Sequence, residues 1–397
     1  MSSLIPEPWK FDPPGKLRII DARSPEVLAE HAEAWAALLL CSSYASPMVS
    51  YPQVSAFLET QVRDTQSWLC LFAYEDATLV GVLPLIAARS IEFPGFPVLL
   101  MKTPYDILHT SGVGCLTPAG REEILDVFVS YLNRMPGRWP AIRMRELLEN
   151  DPTVHCLDRA GTRLRGVLTP GGRENHIVVP ENYESYHVGM SSNFKRQLKR
   201  GRRKLDELEN ISFRCRETTR APAENMRRFE EVEDKGWKGA GNSSIKANAR
   251  NSKMYALAAE RFHKEGWMEW NFIESGEATI AAHFGVRIHR TLFLLKICYD
   301  EEHAGCSPGN LLIENVVKQA CETRDLDEIN CVADCAWHKN WQMKERRIFD
   351  LVILPKIPFI SAILSSILRS DTFQRLKDRI DKHCMNPDPS DTPRLNP

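Results

Sequence analysis

The sequence has no long apolar run and no excess of charge of either sign. No stretch reaches the roughly 18 apolar residues that a membrane-spanning helix requires, and the 51 Lys and Arg residues nearly balance the 52 Asp and Glu residues. A net charge of -1 gives no global field for nucleic acid or an acidic membrane, so an electrostatic partner must be recognised by local clusters. Residues 1–11 lack both a basic head and an apolar run, which predicts a chain without a signal peptide.

The sequence also lacks the commonest signatures of catalytic and metal sites. It contains no nucleophile elbow, no phosphate loop of the Walker type and no dinucleotide glycine fingerprint. The eleven cysteines form no regular framework, and an odd count in a chain of this length predicts reduced thiols and a cytoplasmic location. Cys331, Cys335 and His338 have ligand-like spacing, but no fourth ligand accompanies them, so no metal site is predicted.

Hydrophobic periodicity gives the same order of elements in both halves of the 397-residue chain. The first half predicts helices over 27–41, 52–63 and 121–133 and strands over 68–74, 78–88, 97–102 and 141–145. The second half predicts helices over 191–208, 252–264, 308–323 and 337–344 and strands over 268–274, 279–288, 291–297, 328–333 and 348–354. We therefore expect an α/β (α+β) protein with two mixed, mostly antiparallel sheets side by side, joined within 171–183.

Three segments follow from this organisation: an N-terminal domain over 1–175, a C-terminal domain over 176–355, and a helix with a disordered tail over 356–397. The last segment carries an apolar stretch at 360–368 and a basic stretch at 369–382. This helix is expected either to pack on the domain or to touch a membrane surface peripherally.

The start of the helix predicted over 308–323 is the most informative segment for chemistry. Ser307 would cap the helix with its hydroxyl, Pro308 suits the first helical position, and Gly309 follows. Free backbone N–H groups at such a start bind anions, and Gly309 admits a phosphate without a side chain in its way. The alternative is a well-capped helix that binds nothing.

Basic residues are concentrated in the helix predicted over 191–208. Seven of the ten residues in 195–204 are Lys or Arg. The run is either a solvated helix face or a site for a phosphate-bearing acceptor, with Arg196, Lys199 and Arg203 as the contacts; nucleic acid fits less well because aromatic residues are not interleaved. Further along, Trp237 and Lys238 precede a Gly-Asn-Ser-Ser loop that could close over a substrate, although Trp237 could equally be packed.

Five motifs in order resemble the CelD-type proteins of cellulose biosynthesis, a branch of the GNAT acetyltransferases related to the Fem-type aminoacyltransferases. The motifs are a basic helix at 195–203, Asp-Lys-Gly-Trp-Lys at 234–238, Tyr-Asp at 299–300, Ser-Pro-Gly at 307–309, and Asp-Cys-Ala-Trp-His-Lys-Asn-Trp at 334–341. The resemblance covers 183–354, and the first half follows the family only in pattern, as a degenerate GNAT-like domain. His338 replaces the tyrosine usual in the last motif, which puts a phenol acid at this point in doubt.

The resemblance implies transfer of an acyl group, with acetyl-CoA or another acyl-CoA as cosubstrate, to an amine of a sugar, peptide or saccharide precursor. The cofactor-binding residues would be Lys296, Ser307, Pro308, Gly309, Asn310, Leu311 and Lys339. The substrate-binding residues would be Arg196, Lys199, Arg203, Trp237, Lys238, His338 and Trp341. Two alternatives are a Fem-type transferase that uses aminoacyl-tRNA and a non-catalytic component of a polysaccharide-synthesis complex.

The reaction needs a base near the strand ends to deprotonate the amine. His283, in a predicted strand, is the first candidate and Asp300 the second. The alternatives are a core histidine bonded by the backbone and a turn-forming aspartate.

Overall fold

A computed structural model describes residues 17–42, 44–63, 66–90, 98–105, 112–134, 141–217 and 219–354. The helix and tail predicted after residue 355 lie outside the described residues. No helix of the described ranges is long and apolar enough to cross a membrane.

The first half contains six strands and four helices in its described part. The strands are β1 (Leu17–Ala22), β2 (Ser67–Glu75), β3 (Thr78–Ser90), β4 (Val98–Lys102), β5 (Ile142–Leu148) and β6 (Arg165–Val178). The helices are α1 (Pro25–Ala29), α2 (Ala32–Cys41), α3 (Tyr51–Gln61) and α4 (Glu123–Arg134), with short 3₁₀ helices at Pro47–Val49 and Pro152–His155. Two linking helices follow, α5 (Tyr183–Val188) and α6 (Ser192–Asp206).

The second half repeats this order. Its strands are β7 (Ile211–Glu217), β8 (Met268–Ser275), β9 (Ala278–Ile288), β10 (Thr291–Tyr299), β11 (Glu328–Asn330) and β12 (Lys344–Leu354). Its helices are α7 (Pro222–Asp234), α8 (Trp237–Ala240), α9 (Ala249–Lys264) and α10 (Pro308–Thr323), with 3₁₀ helices at Glu301–Cys306 and Ala336–Trp341. Each half therefore has the same order of elements: a strand, helices, a three-stranded meander, a helix, a strand, a 3₁₀ helix and a last strand.

Local sequence explains where several helices begin. Ser191 caps α6 by accepting a hydrogen bond from the N–H of Phe194, and Asn248 caps α9 in the same way. The apolar residues of α6 fall on one stripe, so Phe194, Leu198 and Leu205 are buried while most of the lysines and arginines are exposed. The segment predicted as a helix over 337–344 is instead the 3₁₀ helix Ala336–Trp341, followed at once by β12.

The mixed α/β class and the mostly antiparallel pairing are confirmed, but the expectation of two separate sheets is wrong. The strands form one continuous sheet in the order β1-β2-β3-β4-β5-β12-β6-β11-β10-β9-β8-β7. Among the described strands, only the pairs β4 with β5 and β10 with β11 are parallel. The two halves exchange their last strands, because β12 pairs with β5 and β6 pairs with β11. The expected join at 171–183 therefore runs through β6 rather than between sheets.

The two halves also share a core on one face of the sheet. Trp35 and Phe72 of the first half and Phe229 and Phe284 of the second belong to one cluster of buried side chains. Helices α3 and α9 meet across it, and Nη1 of Arg261 donates to Oγ of Ser55 at 2.8 Å. Each such large apolar side chain contributes about 1.5–3 kcal/mol when fully buried, so this shared core holds the halves together. On the opposite face, α6 and α10 cover the second half.

Candidate active site

Strands β10 and β11 pair over only a short stretch, and we call the space between them beyond that stretch the crevice. They pair in parallel only from Thr291 to Phe293 and from Glu328 to Asn330. Beyond these pairs β10 continues to Tyr299, with a register shift between Leu294 and Lys296 in its pairing with β9, whereas β11 ends. Helix α10 covers one face of the sheet here, and α7 covers the other.

The start of α10 lies at one end of the crevice. The chain enters it through Ser307, which has a left-handed backbone (φ 52°). The expected hydroxyl cap is wrong: Ser307 makes no side-chain bond to the helix, and its Oγ instead accepts from Nε2 of Gln197 in α6 at 3.1 Å. The N–H groups of Gly309 and Asn310 have no acceptor within the described ranges, as expected for a first helical turn. Of the predicted donors, Gly309 and Asn310 are therefore available, whereas the N–H of Leu311 already donates to the carbonyl of Ser307 at 3.1 Å.

The two equivalent helix starts of the molecule differ in charge. The first turn of α10 contains no acidic residue, whereas that of α4 contains Glu123 and Asp126. Carboxylates in a first turn already neutralise the positive end of the helix dipole and repel an added anion. Of these two starts, α10 is the one suited to a phosphate. A Cβ at Gly309 would meet only the ring of Tyr299, at 3.4 Å.

Trp341 supports the start of α10 from the 3₁₀ helix Ala336–Trp341. Its indole Nε1 donates to Oδ1 of Asn310 at 3.1 Å, and its ring packs edge-on against Phe194 with centroids 5.1 Å apart. The Trp341 carbonyl accepts from the hydroxyl of Tyr186. Because Trp341 is fully buried, it holds Asn310 in place rather than presenting a surface to a substrate.

An ion cluster lies on the opposite face, beneath α7. Oε1 of the buried Glu233 lies 3.0 Å from Nζ of Lys238 and 3.3 Å from Nζ of Lys296, and Oε2 accepts from the N–H of Ile245 at 2.7 Å. Although burial raises the pKa of Glu233, the two ammonium groups outweigh it, so the pKa lies below its usual value. Lys296 and Lys238, predicted to contact different ligands, thus share one buried partner. Sequence reasoning missed Glu233 because a glutamate in a charged helix carries no special signal.

Trp237 and Lys238 lie where α7 meets the end of β10. Nζ of Lys238 donates to the carbonyl of Ile297 at 3.3 Å and lies 5.8 Å from the Trp237 ring. The indole is 64% exposed, which places Trp237 at the surface and not in the core. The chain approaches β10 closely here, since a Cβ on Gly236 would lie 3.0 Å from the carbonyl oxygen of Tyr299.

His283 lies inside the sheet. It pairs with Asn271 on one side and Ile297 on the other, and directly paired residues share a face, here the one covered by α10. The ring is 1% exposed, and neither nitrogen has a hydrogen-bond partner within the described residues. Burial lowers its pKa to about 3, so the imidazole is neutral. The role of His283 as the base stays a prediction.

Asp300 forms a turn at the end of β10. Oδ1 accepts from the N–H of Glu302 at 3.0 Å, and Oδ2 accepts from Nζ of Lys235 at 3.2 Å. Both oxygens are thus occupied, as in the turn-forming alternative. Its role as a base likewise stays a prediction.

His338 and Lys339 follow one another in the 3₁₀ helix but differ in environment. Nδ1 of His338 accepts from the N–H of Cys335 at 3.2 Å and lies 3.1 Å from Nδ2 of Asn175. The ring is 3% exposed and burial lowers its pKa to about 4, whereas Lys339 is exposed. The buried His338 thus links the backbone of Cys335 to the side chain of Asn175, whereas Lys339 is accessible to a ligand from solvent.

The basic residues of α6 divide into two groups. Arg196, Lys199 and Arg203 are exposed, as predicted for a phosphate-binding or a solvated face. By contrast, Nη2 of Arg202 lies 3.0 Å from Oε2 of Glu314 in α10. A side chain at Gly201 would collide with the carbonyl oxygen of Cys306, so α6 lies directly against the segment that leads into α10.

Residues 192–339 match the family described as acetyltransferase (GNAT) domain, which covers β7 to β11 and the crevice. Residues 192–339 thus form a GNAT-type acetyltransferase domain. No curated protein sequence matches the chain.

The GNAT domain and the first half together have the fold of several solved structures. FemX superposes with a TM-score of 0.55 at 9% identity, over 87% of this chain and 99% of that one. A conserved protein of unknown function from Bacteroides thetaiotaomicron gives 0.55 at 12% identity, over 84% and 100%. The C-terminal domain of a putative lysylphosphatidylglycerol synthetase from Agrobacterium fabrum gives 0.51 at 10% identity, over 86% and 97%. At these identities the likeness concerns the fold alone.

Proposed function

We propose that the chain is an N-acyltransferase that uses acetyl-CoA or another acyl-CoA as cosubstrate. The observation that carries this proposal is the start of α10, where the N–H groups of Gly309 and Asn310 have no acceptor in the described structure at one end of the crevice. A pyrophosphate fits such a start, because N–H donors and the helix dipole both favour negative charge. The matched acetyltransferase family supports the same assignment.

The crevice suits a long, thin cosubstrate. Phosphates held by the N–H groups of Gly309 and Asn310 would leave the remainder of the molecule to run between β10 and β11, while the exposed Lys339 would contribute positive charge. When bound, the acyl-CoA supplies an acyl group activated as a thioester. The ammonium group of Lys238 donates to the carbonyl of Ile297 and therefore lies beside β10.

The acceptor is proposed to be an amine on a sugar, peptide or saccharide precursor. The resemblance to CelD-type proteins favours a saccharide, and a phosphate on the acceptor would meet Arg196, Lys199 and Arg203. The exposed indole of Trp237 offers a flat surface for a sugar ring at the rim. We place this chemistry in the second half and treat the first as degenerate, since α4 begins with acidic residues.

Calorimetry with three ligands tests the proposal. Micromolar binding of acetyl-CoA supports acyl-CoA-dependent transfer. Binding of aminoacyl-tRNA without binding of acetyl-CoA would instead indicate a Fem-type transferase. Nucleotide-sugars are the third ligand. Binding of neither acetyl-CoA nor aminoacyl-tRNA would indicate a non-catalytic component of a polysaccharide-synthesis complex.

A further inference from the structure

Strand β6, where the sequence suggested a join, carries a buried carboxylate and a buried imidazole on one face. Glu174 is 0% exposed and His176 is 5% exposed, and residues two apart in a strand point to the same side. Oε1 of Glu174 accepts from Nδ2 of Asn330 at 2.7 Å. Oε2 of Glu174 and Nδ1 of His176 have no hydrogen-bond partner within the described part of the chain. Because buried polar atoms are nearly always bonded, this pair calls for an explanation.

Glu174 is linked to the inner end of the crevice. Asn330, which holds its Oε1, is the last residue of β11, and its partner Phe293 is the last residue of β10 paired with that strand. Phe293 belongs to the core beneath α7 and α9, so Glu174 lies on the same face as Glu233. The free carboxylate oxygen is therefore on the face opposite α10, where an acceptor would meet an acyl group that enters from the side of α10.

The charged groups around Glu174 leave it able to exchange a proton. Burial raises its pKa to about 7, although Asn330 and Arg346 oppose the shift. Nη1 of Arg346 lies 2.7 Å from Oε1 of Glu328 and 3.6 Å from Oε1 of Glu174, and Tyr44 also faces Arg346. The other charges near His176 are Glu328, Arg346 and Lys344, and burial keeps the pKa of this imidazole below its usual value.

We propose that Glu174 is the base that takes the proton from the acceptor amine, and that His176 passes this proton to solvent. This inference rests on the proposed function. The ammonium gives one proton to Glu174, the neutral amine forms the C–N bond as the C–S bond breaks, and the departing sulfur takes a second proton from the amine nitrogen. Glu174 returns to the carboxylate when His176 carries its proton away, so one amide, one thiol and one proton are produced.

Thiol release from acetyl-CoA tests the assignment in the full chain, with D-glucosamine, L-lysine and spermidine as probe amines. We expect Glu174→Gln to bind acetyl-CoA as the wild type does, while its rate falls about 10²- to 10⁴-fold and loses the rise of kcat/KM with pH. Glu345→Gln, at an exposed position in neighbouring β12, is the matched control and should keep the wild-type rate. His176→Ala should be slow and recover with added imidazole, which a purely structural role would not produce.

Each contrary result has a distinct meaning. A wild-type rate in Glu174→Gln, or an unchanged pH profile, overturns the role of Glu174, as does wild-type protein that binds acetyl-CoA but releases no thiol with any probe amine. A large loss of rate in His283→Leu, with the rate of Glu174→Gln unchanged, would make His283 the base instead. If Glu174→Gln does not fold, Glu174→Asp, which retains a carboxylate, should show a reduced rate with the pH rise preserved. Failure of the wild type to bind acetyl-CoA overturns the proposed function itself.

Discussion

The indole Nε1 of Trp341 donates a hydrogen bond to Oδ1 of Asn310 at 3.1 Å, and this bond ties the 3₁₀ helix after β11 to the first turn of α10. Trp341→Phe keeps the ring but removes the donor. Because such a bond contributes about 0.5–1.5 kcal/mol, we expect acetyl-CoA to bind a few-fold more weakly, as measured by calorimetry. Trp337→Phe is the control, since Trp337 packs on His338. Unchanged affinity in Trp341→Phe would show that Asn310 needs no support.

The Glu233 cluster predicts a large effect on stability. Glu233→Leu removes a carboxylate partner of Lys296, whose side chain is only 5% exposed, and so takes a counter-charge away from a buried ammonium group. We expect the free energy of unfolding to fall by about 3–5 kcal/mol in urea titrations. Glu345→Ala breaks the exposed pair with Arg173 and should cost at most about 1 kcal/mol. Equal effects from the two variants would contradict the account of the cluster.

The raised pKa of Glu174 predicts how stability depends on pH. The unfolded carboxyl releases its proton near the ordinary value of 4.5 and the folded one at about 7, so between these values the folded state binds more protons and loses stability as pH rises. The difference amounts to about 3 kcal/mol at pH 8. Urea titrations of Glu174→Gln should lack this fall. A wild-type slope in the variant would show that Glu174 ionises as an ordinary carboxyl.

The exposed basic residues of α6 predict a salt-dependent acceptor site. Replacing Arg196, Lys199 and Arg203 with Gln should raise KM for a phosphorylated acceptor and weaken the dependence of KM on salt, while the affinity for acetyl-CoA stays unchanged. The matched control removes three exposed charges elsewhere, at Lys246, Arg250 and Lys253. Equal kinetics in both triple variants would show that the face is only solvated.

The sequence pattern predicted those helices and strands that are specified by residues close together in the chain. The meander β8 to β10 follows from runs of apolar residues separated by short turns, and α10 begins at Pro308 as expected. Strand β6 was missed because Gly171-Gly172 and the alternating polar residues that follow resemble a linker. The left-handed backbone of Ser307, which removes its capping bond, depends on the contact with α6.

The parts that could not be predicted depend on contacts distant in sequence. The single sheet arises because β12 and β6 exchange places, and no local pattern specifies a strand's partner. Glu174 and Asn330 meet for the same reason. Polar residues at every second position, as in Glu174 and His176 or Glu328 and Asn330, were the available signal for a buried polar face.

Calorimetry of acetyl-CoA with the wild type and Gly309→Val tests the central claim most directly. A Cβ at Gly309 meets only the Tyr299 ring at 3.4 Å, so the fold should survive while the added methyl groups fill the place of the phosphate. Gly172→Val, where a Cβ meets nothing within 4 Å, is the matched control. The account predicts micromolar binding by the wild type and the control and no detectable binding by Gly309→Val. Wild-type affinity in Gly309→Val, or no binding by the wild type, would contradict it.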